Sequence, residues 1–391
     1  MPGCWRPSDA DVTSHHRERC HPSRRRGWEL NWPDDRTGCA ATAAGADRGR
    51  CPAGRCGHAL AGADTFRLHS NPAATLKIYL DFDGHRTTGT DWNFYWNTPD
   101  IVSPPFSLDT DPAFSDAELT AIRHIWQQVA ALYEPFTIDV TTEDSGTDSL
   151  LRSGAGDASF GIRVVVTDED GKNFGGISYV GSFGRDLPSF VYADRLGDSV
   201  SAIAAAAAHE AGHALGLSHD GIDTSEYYYG NGTGPTAWAP IMGVGYGATI
   251  LQFSKGEYAG ATQGQDDLAI ITGSFPGLTY RDDEAGNDVD HAATLAGQSA
   301  NGRMMVSGFG IITGSGARND IDLYVLHVAA GGDIDLAIRP ATQAWLTSQA
   351  APVTEVDSVT SLDVKATLYD SNHNVVLVAD DPGRVDGQVT A

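Results

Sequence analysis

Hydrophobic and polar positions become orderly from Leu76 onward. Lys77-Ile78-Tyr79-Leu80-Asp81-Phe82 alternates, is rich in strand formers and runs into the turn pair Asp83-Gly84, so it predicts a first strand. Ser115 and Glu118 have capping-box spacing. Leu119, Ile122, Ile125, Trp126, Val129 and Leu132 then recur at helical intervals up to Pro135, which predicts a long amphipathic helix. Residues 137–142 and 161–167 are β-rich, and 177–183 and 189–193 are shorter candidates bounded by Gly and Pro. A second helix is predicted from about Ser199, with Asp198 or Ser199 as cap and Ala204 to Ala208 as strong helix formers. Strand, helix and several further strands make a mixed sheet. Residues 273–286 mix Gly, Pro and charge and read as a linker. Beyond them, 321–328, 333–338 and 362–369 alternate at period two, and Asn372-His373-Asn374 turns into the apolar run 375–378, an all-β sandwich pattern.

Composition separates the first 70 residues from the rest. They hold eleven arginines and eight acidic residues, whereas the remainder carries 15 basic and 43 acidic residues. All five cysteines, Cys4, Cys20, Cys39, Cys51 and Cys56, also lie there. Three readings compete for this stretch: a disordered or prodomain-like extension, a misassigned start, and a zinc or disulfide module. The misassigned start is favoured, because the text has no apolar core of a signal peptide and no periodicity. The expected organisation is therefore a disordered or misassigned extension over 1–70, an α+β domain over 71–275 and a β-sandwich over 276–391 that stops just after a turn and is expected to be truncated.

The formal charge of the whole chain is −25. That sign opposes general nucleic-acid binding. It permits calcium as a structural ion, with Asp168-Glu169-Asp170-Gly171 as the candidate turn, although short acidic turns are more often merely solvated. The longest apolar run, Ala202 to Ala208, is far short of the roughly 18–20 residues that span a bilayer.

Chemistry concentrates in His209-Glu210-Ala211-Gly212-His213-Ala214-Leu215-Gly216-Leu217-Ser218-His219-Asp220. Histidines four apart on a helix are separated by about 400°, so His209 and His213 project from one face and can share a Zn²⁺. Glu210 is placed to take a proton from water beside the metal, as general base. Gly216 stands where the chain must leave the helix through a left-handed residue, and His219 can then return as third ligand. Three protein ligands leave one position open, which marks a catalytic site and not a structural one. At this composition the five specified residues are expected by chance about 2 × 10⁻⁴ times in the chain. His85, His124 and His291 lack ligand spacing and read as structural or surface residues, and Trp92 to Trp96 read as core.

These residues match in full the HExxHxxGxxH signature of the metzincin metallopeptidases, which the chain resembles. The resemblance implies a mixed twisted sheet, a backing helix, an active-site helix and a Met-turn beneath the metal, for which Met242 in Pro240-Ile241-Met242-Gly243 is the candidate. Asp220 after the third histidine resembles the adamalysin branch, while the cysteine-free catalytic region does not. Val244 stands where some metzincins place a tyrosine, so Tyr246, four after Met242, is the candidate transition-state stabiliser. Arg55-Cys56-Gly57 resembles the core of the matrixin cysteine switch without its flanking prolines. The tail, through Asp320-Ile321-Asp322-Leu323-Tyr324 and Leu368-Tyr369-Asp370, resembles the bacterial pre-peptidase C-terminal domain.

The expected function is that of a zinc endopeptidase hydrolysing protein or peptide substrates through a zinc-activated water, with Glu210 as base; Gly175 to Val180 has two readings, an edge on which substrate adds as a strand, and core or turn packing. Secretion is implied by the resemblance alone. The rival is a non-catalytic secreted binding or adhesion protein on the same scaffold, which has no need of a base beside an open metal position. A damaged gene product, with an intact catalytic core between altered ends, is a third reading.

Overall fold

The computed structural model describes residues 62–391 apart from 169–171, 296, 301–302, 314–319, 329–331, 343–357, 382 and 391. Cys56 with its neighbours, the rest of the arginine-rich extension to residue 61, and three residues of the candidate calcium turn lie outside the described residues. Asp168, the remaining member of that turn, accepts a hydrogen bond from the Ser107 N–H (2.7 Å), and a calcium site there is without support.

A five-stranded sheet organises the first two thirds of the chain. Its strands are β1 (Leu76–Asp81), β4 (Ile138–Thr141), β5 (Gly161–Thr167), β6 (Gly176–Ile177) and β7 (Ser189–Tyr192), in the order β4-β1-β5-β7-β6. Four strands are parallel, and β6 runs antiparallel along one edge. Every residue of β5 is buried because both faces of the sheet are covered, the usual state of a parallel strand. Successive side chains point to opposite faces. Val164 and Val166 meet one core together with helices α2 (Asp116–Tyr133) and α3 (Val200–Ala214), while Val165 meets a second core with Phe190, Tyr192, Ile101 and Trp92. Trp92 belongs to the short helix α1 (Asp91–Tyr95), and Ile101 to β3 (Ile101–Ser103), which pairs with β2 (His85–Thr87). The aromatic core expected over Trp92 to Trp96 forms only in part: Trp92 is buried and its indole N–H donates to the Pro188 carbonyl at 2.8 Å, Trp96 packs against it partly buried, and Phe94 and Tyr95 are exposed because they lie on the outer side of a helix only five residues long.

Helix α2 starts where its cap predicts. The Ser115 hydroxyl accepts from the Glu118 N–H, and the Glu118 carboxylate in turn accepts from the Ser115 N–H. Ser199 caps α3, while Asp198 adopts a left-handed conformation just before it. The alanines of α3 bring its backbone close to α2, where the Tyr133 hydroxyl donates to the Ala208 carbonyl at 2.8 Å.

Several boundaries differ from expectation. Residues 65–70, assigned by composition to the extension, pack on the sheet: Leu68 and Thr65 are buried, and the Thr142 hydroxyl bridges the Leu68 N–H and the Thr65 carbonyl. The segment read as a linker is also packed. Helix α4 (Asp267–Ser274) ends at Phe275, Leu278 is buried, Tyr280 stacks on Phe136 with centroids 5.7 Å apart, and Arg281 pairs with Glu134. Three apolar side chains outweigh the turn-forming glycines. The strand expected over 177–183 ends at Ile177, because the N–H groups of Gly181 and Phe183 instead satisfy the terminal carbonyls of α3 at His213 and Ala214.

The tail forms strands in pairs. β10 (Ala293–Thr294) pairs with β13 (Tyr324–Val325), β11 (Gly297–Ala300) with β12 (Arg303–Val306), β14 (Asp335–Ile338) with β17 (Gly387–Thr390), and β15 (Ala366–Tyr369) with β16 (Val375–Ala379). The alternating segments are therefore strands, with 321–328 reduced to two residues. Two packed sheets of a sandwich are not assembled among the described residues, and Val375, Val376 and Val378 remain half-exposed. One tail segment behaves differently. Thr360 bridges Ile250 of β9 (Ile250–Gln252), which pairs on its other side with β8 (Trp238–Pro240), and the buried Val359 donates its N–H to Gln128 of α2 at 2.8 Å.

Candidate metal and active site

Helix α3 delivers His209, Glu210 and His213, and ends where the sequence requires. Gly216 has φ 108°, and the Gly216 and Leu217 N–H groups close back on the His213 and Gly212 carbonyls. The turn returns His219 to the helix. The three imidazoles present ligand atoms that all lie within 4.8 Å of one another, and the Nε2 atoms of His213 and His219 stand 2.9 Å apart.

The outer ring nitrogens fix the tautomers. Nδ1 of His209 meets the Ile241 carbonyl and Nδ1 of His213 the Leu217 carbonyl, both at 2.8 Å, and Nδ1 of His219 meets the Glu226 carboxylate at 2.6 Å. Carbonyls and carboxylates only accept, so each Nδ1 carries the proton and each Nε2 keeps its lone pair for the centre. Desolvation pushes His213 down to about 4 and, joined by the His213 charge, His219 down to about 3. Burial likewise holds His209 well below its ordinary value, with the other two histidines adding to the effect. Neutral imidazole is the metal-ligating form.

Glu210 is buried beside this cluster, and its Oε2 has no hydrogen-bond partner. Desolvation pushes its carboxyl well above the usual range. It lies against the edge strand: a Cβ on Gly176 would stand 2.5 Å from Glu210 Oε1, so the absence of a side chain at Gly176 makes room for the carboxylate. Tyr246 is half-exposed nearby, its hydroxyl 3.1 Å from where a Cβ on Gly175 would lie. Loss of solvation, then the Glu210 charge, raises its phenol to about 12, leaving a protonated donor at neutral pH.

Met242 is fully buried under the helix, and a Cβ on Gly212 would meet its Sδ at 2.6 Å. Asp220 locks this floor. Its N–H donates to the Met242 carbonyl at 2.8 Å, and its buried carboxylate accepts from the Ser254 hydroxyl (2.9 Å) and the Gln263 amide (2.7 Å).

The structure thus brings His209, Glu210, His213, Gly216, His219 and Met242 together, with Tyr246 at the margin, whereas Asp168 of the candidate calcium turn bonds to Ser107 instead. Sequence reasoning did not find Glu226, nor Tyr227, whose ring lies 4.4 Å from that of His219. No spacing rule links either to the histidine motif. A loop acid seven residues after His219 is indistinguishable from a solvated one until the loop is folded.

The donor set fits a metal of the zinc type: three neutral imidazoles with Nε2 converging, and an acid with an unpartnered buried oxygen next to them. The sequence model of the reprolysin-like metallo-peptidase family M12B matches residues 124–220, from α2 to the residue after the third histidine. That match supports zinc metallopeptidase chemistry at the level of the family and protein substrates with it. No curated protein matches the chain. Among the described residues no helix is long and apolar enough to cross a membrane.

Proposed function

We propose that this chain is a secreted zinc-dependent endopeptidase of the metzincin type, with His209, His213 and His219 as ligands, Glu210 as general base and Met242 as the Met-turn. The observation that carries it is the convergence of three neutral imidazoles beside a buried carboxylate with an unpartnered oxygen, directly under an edge strand. A binding module has no use for such a carboxylate, whose burial without a partner costs stability.

Zinc bound by these histidines supplies Lewis-acid polarisation of the scissile carbonyl and lowers the pKa of water. The chain's own residues do the rest. An extended peptide adds to the free edge of β6, so backbone hydrogen bonds hold it across the histidine cluster. Glu210, desolvated and thereby made more basic than an exposed glutamate, takes a proton from the attacking water and passes it to the leaving amine. The protonated Tyr246 hydroxyl, at the rim near Gly175, donates to the oxygen on which negative charge develops.

The test is zinc analysis of the full chain together with cleavage of an unfolded protein substrate, before and after chelation and zinc return. About one zinc per chain and chelator-sensitive, zinc-restored cleavage are expected. Zinc without cleavage on a broad panel would favour the binding protein instead.

A further inference from the structure

The three histidines are not held alike. His209 and His213 sit on a helix, and backbone carbonyls fix their rings. His219 lies beyond Gly216, outside any helix, with its side chain a quarter exposed. It is also the one whose Nδ1 partner is a side-chain carboxylate, Glu226, at 2.6 Å.

We propose that Glu226 is a positioning residue for the metal, acting through His219: its carboxylate holds the Nδ1–H tautomer, aims Nε2 at the other two histidines and makes this imidazole a stronger donor. This role presupposes the zinc site proposed above. A carboxylate acceptor stabilises the positive charge an imidazole gains on ligation more than a carbonyl does, and removing such partners typically lowers metal affinity roughly 10–100-fold. The supporting loop is built for the task. Ile222 and Ser225 bridge each other, the Asp223 N–H donates to the Gly260 carbonyl at 2.7 Å, and the Tyr228 N–H donates to the Asp220 carbonyl at 2.7 Å. These ties bracket Glu226 on both sides. The Tyr227 ring, tilted 43° to that of His219, limits its rotation from another direction. Glu226 itself is exposed and is not one of the buried core residues.

The experiment measures zinc dissociation constants by chelator competition on the full chain, for the wild type, Glu226→Ala, Glu226→Gln and Glu226→Asp. The melting temperature of each metal-free protein is measured alongside. Glu226→Ala is expected to weaken zinc roughly 10–100-fold with an unchanged metal-free melting temperature. Glu226→Gln keeps a neutral acceptor for Nδ1–H and should fall between Ala and wild type. Peptide cleavage at saturating zinc should lose kcat with little change in KM. An affinity for Glu226→Ala within twofold of wild type would overturn the role while leaving the zinc site standing. A fall in metal-free melting temperature that accounts for the lost affinity would also overturn it, by making Glu226 a loop anchor only. Failure of the wild type to bind zinc would remove both proposals together.

Discussion

Residues 62–281 and the tail from 282 onward differ in how far their pairings reach and in what they bury. In the first region β1 pairs with β4 and β5, more than 60 and 80 residues away, and valines on both faces of β5 are fully buried. In the tail most strands pair two by two, and β16 leaves Val375, Val376 and Val378 half in water. The histidine centre stands on the first kind of structure, where a small change in volume or hydrogen bonding is transmitted to the site. Segment 358–361 breaks the division, since it is tail sequence built into the first region's core beside β9. Cutting at residue 282 therefore removes a segment that pairs with β9 and bonds to α2 as well as an appendage.

The largest effect expected on this contrast is His213→Ala, which removes a ligand atom at the centre: zinc should be lost and cleavage should fall by at least about 10³-fold. Zinc analysis and a peptide assay check it. Gly212→Ala comes next. The added methyl meets Met242 Sδ at 2.6 Å inside a packed floor, and about 1–3 kcal/mol of stability should be lost in denaturant unfolding. Gln128→Ala probes the crossing segment, because it leaves the buried Val359 N–H without its acceptor; a similar cost of about 1–3 kcal/mol is expected, read by the same unfolding curves. Val378→Thr on the exposed tail strand should stay within about 0.5 kcal/mol of wild type. Equal costs for Gln128→Ala and Val378→Thr would erase the distinction between the crossing segment and the rest of the tail.

A pH experiment sharpens the picture of the core. Burial raises Asp267, at the start of α4, to about 8 from an ordinary 3.8. Between those values the folded state binds more protons than the unfolded one, so this residue's contribution to stability is fully present below pH 4 and is lost as pH rises through about 8. Asp267→Asn should therefore melt higher than wild type at pH 9, with the gap closing towards pH 4, in chelator-treated protein.

Much of the site was legible because its determinants are local. Two histidines on one helical turn, a glycine at the helix end and an N-cap residue each act within a few residues, so spacing located α3, narrowed its cap to Asp198 or Ser199, and anticipated the return of His219; the structure selects Ser199. β5 was read to its ends because its β-branched residues Ile162, Val164, Val165, Val166 and Thr167 cluster in one short run, which the buried Arg163, paired with Asp81, does not break. What spacing did not reveal depends on pairing across the chain. Asp220 reaches Ser254 and Gln263, and Glu226 meets His219 across a loop whose hairpin has no periodic signal. Phe275, Leu278 and Tyr280 were hidden among glycine and proline, and nothing near Val359 in the sequence announces that it bonds to Gln128, 231 residues earlier.

The most direct test of the central claim is a pairwise measurement on the full chain, wild type against Glu210→Gln, of zinc content and peptide cleavage. Glu210 touches none of the Nδ1 contacts that set the ligands, so the variant should hold zinc at the wild-type ratio while kcat falls by about 10²–10⁴-fold. A variant that cleaves as fast as the wild type, or a wild type that holds zinc and shows no hydrolysis, would contradict the assignment of this centre as a peptidase site.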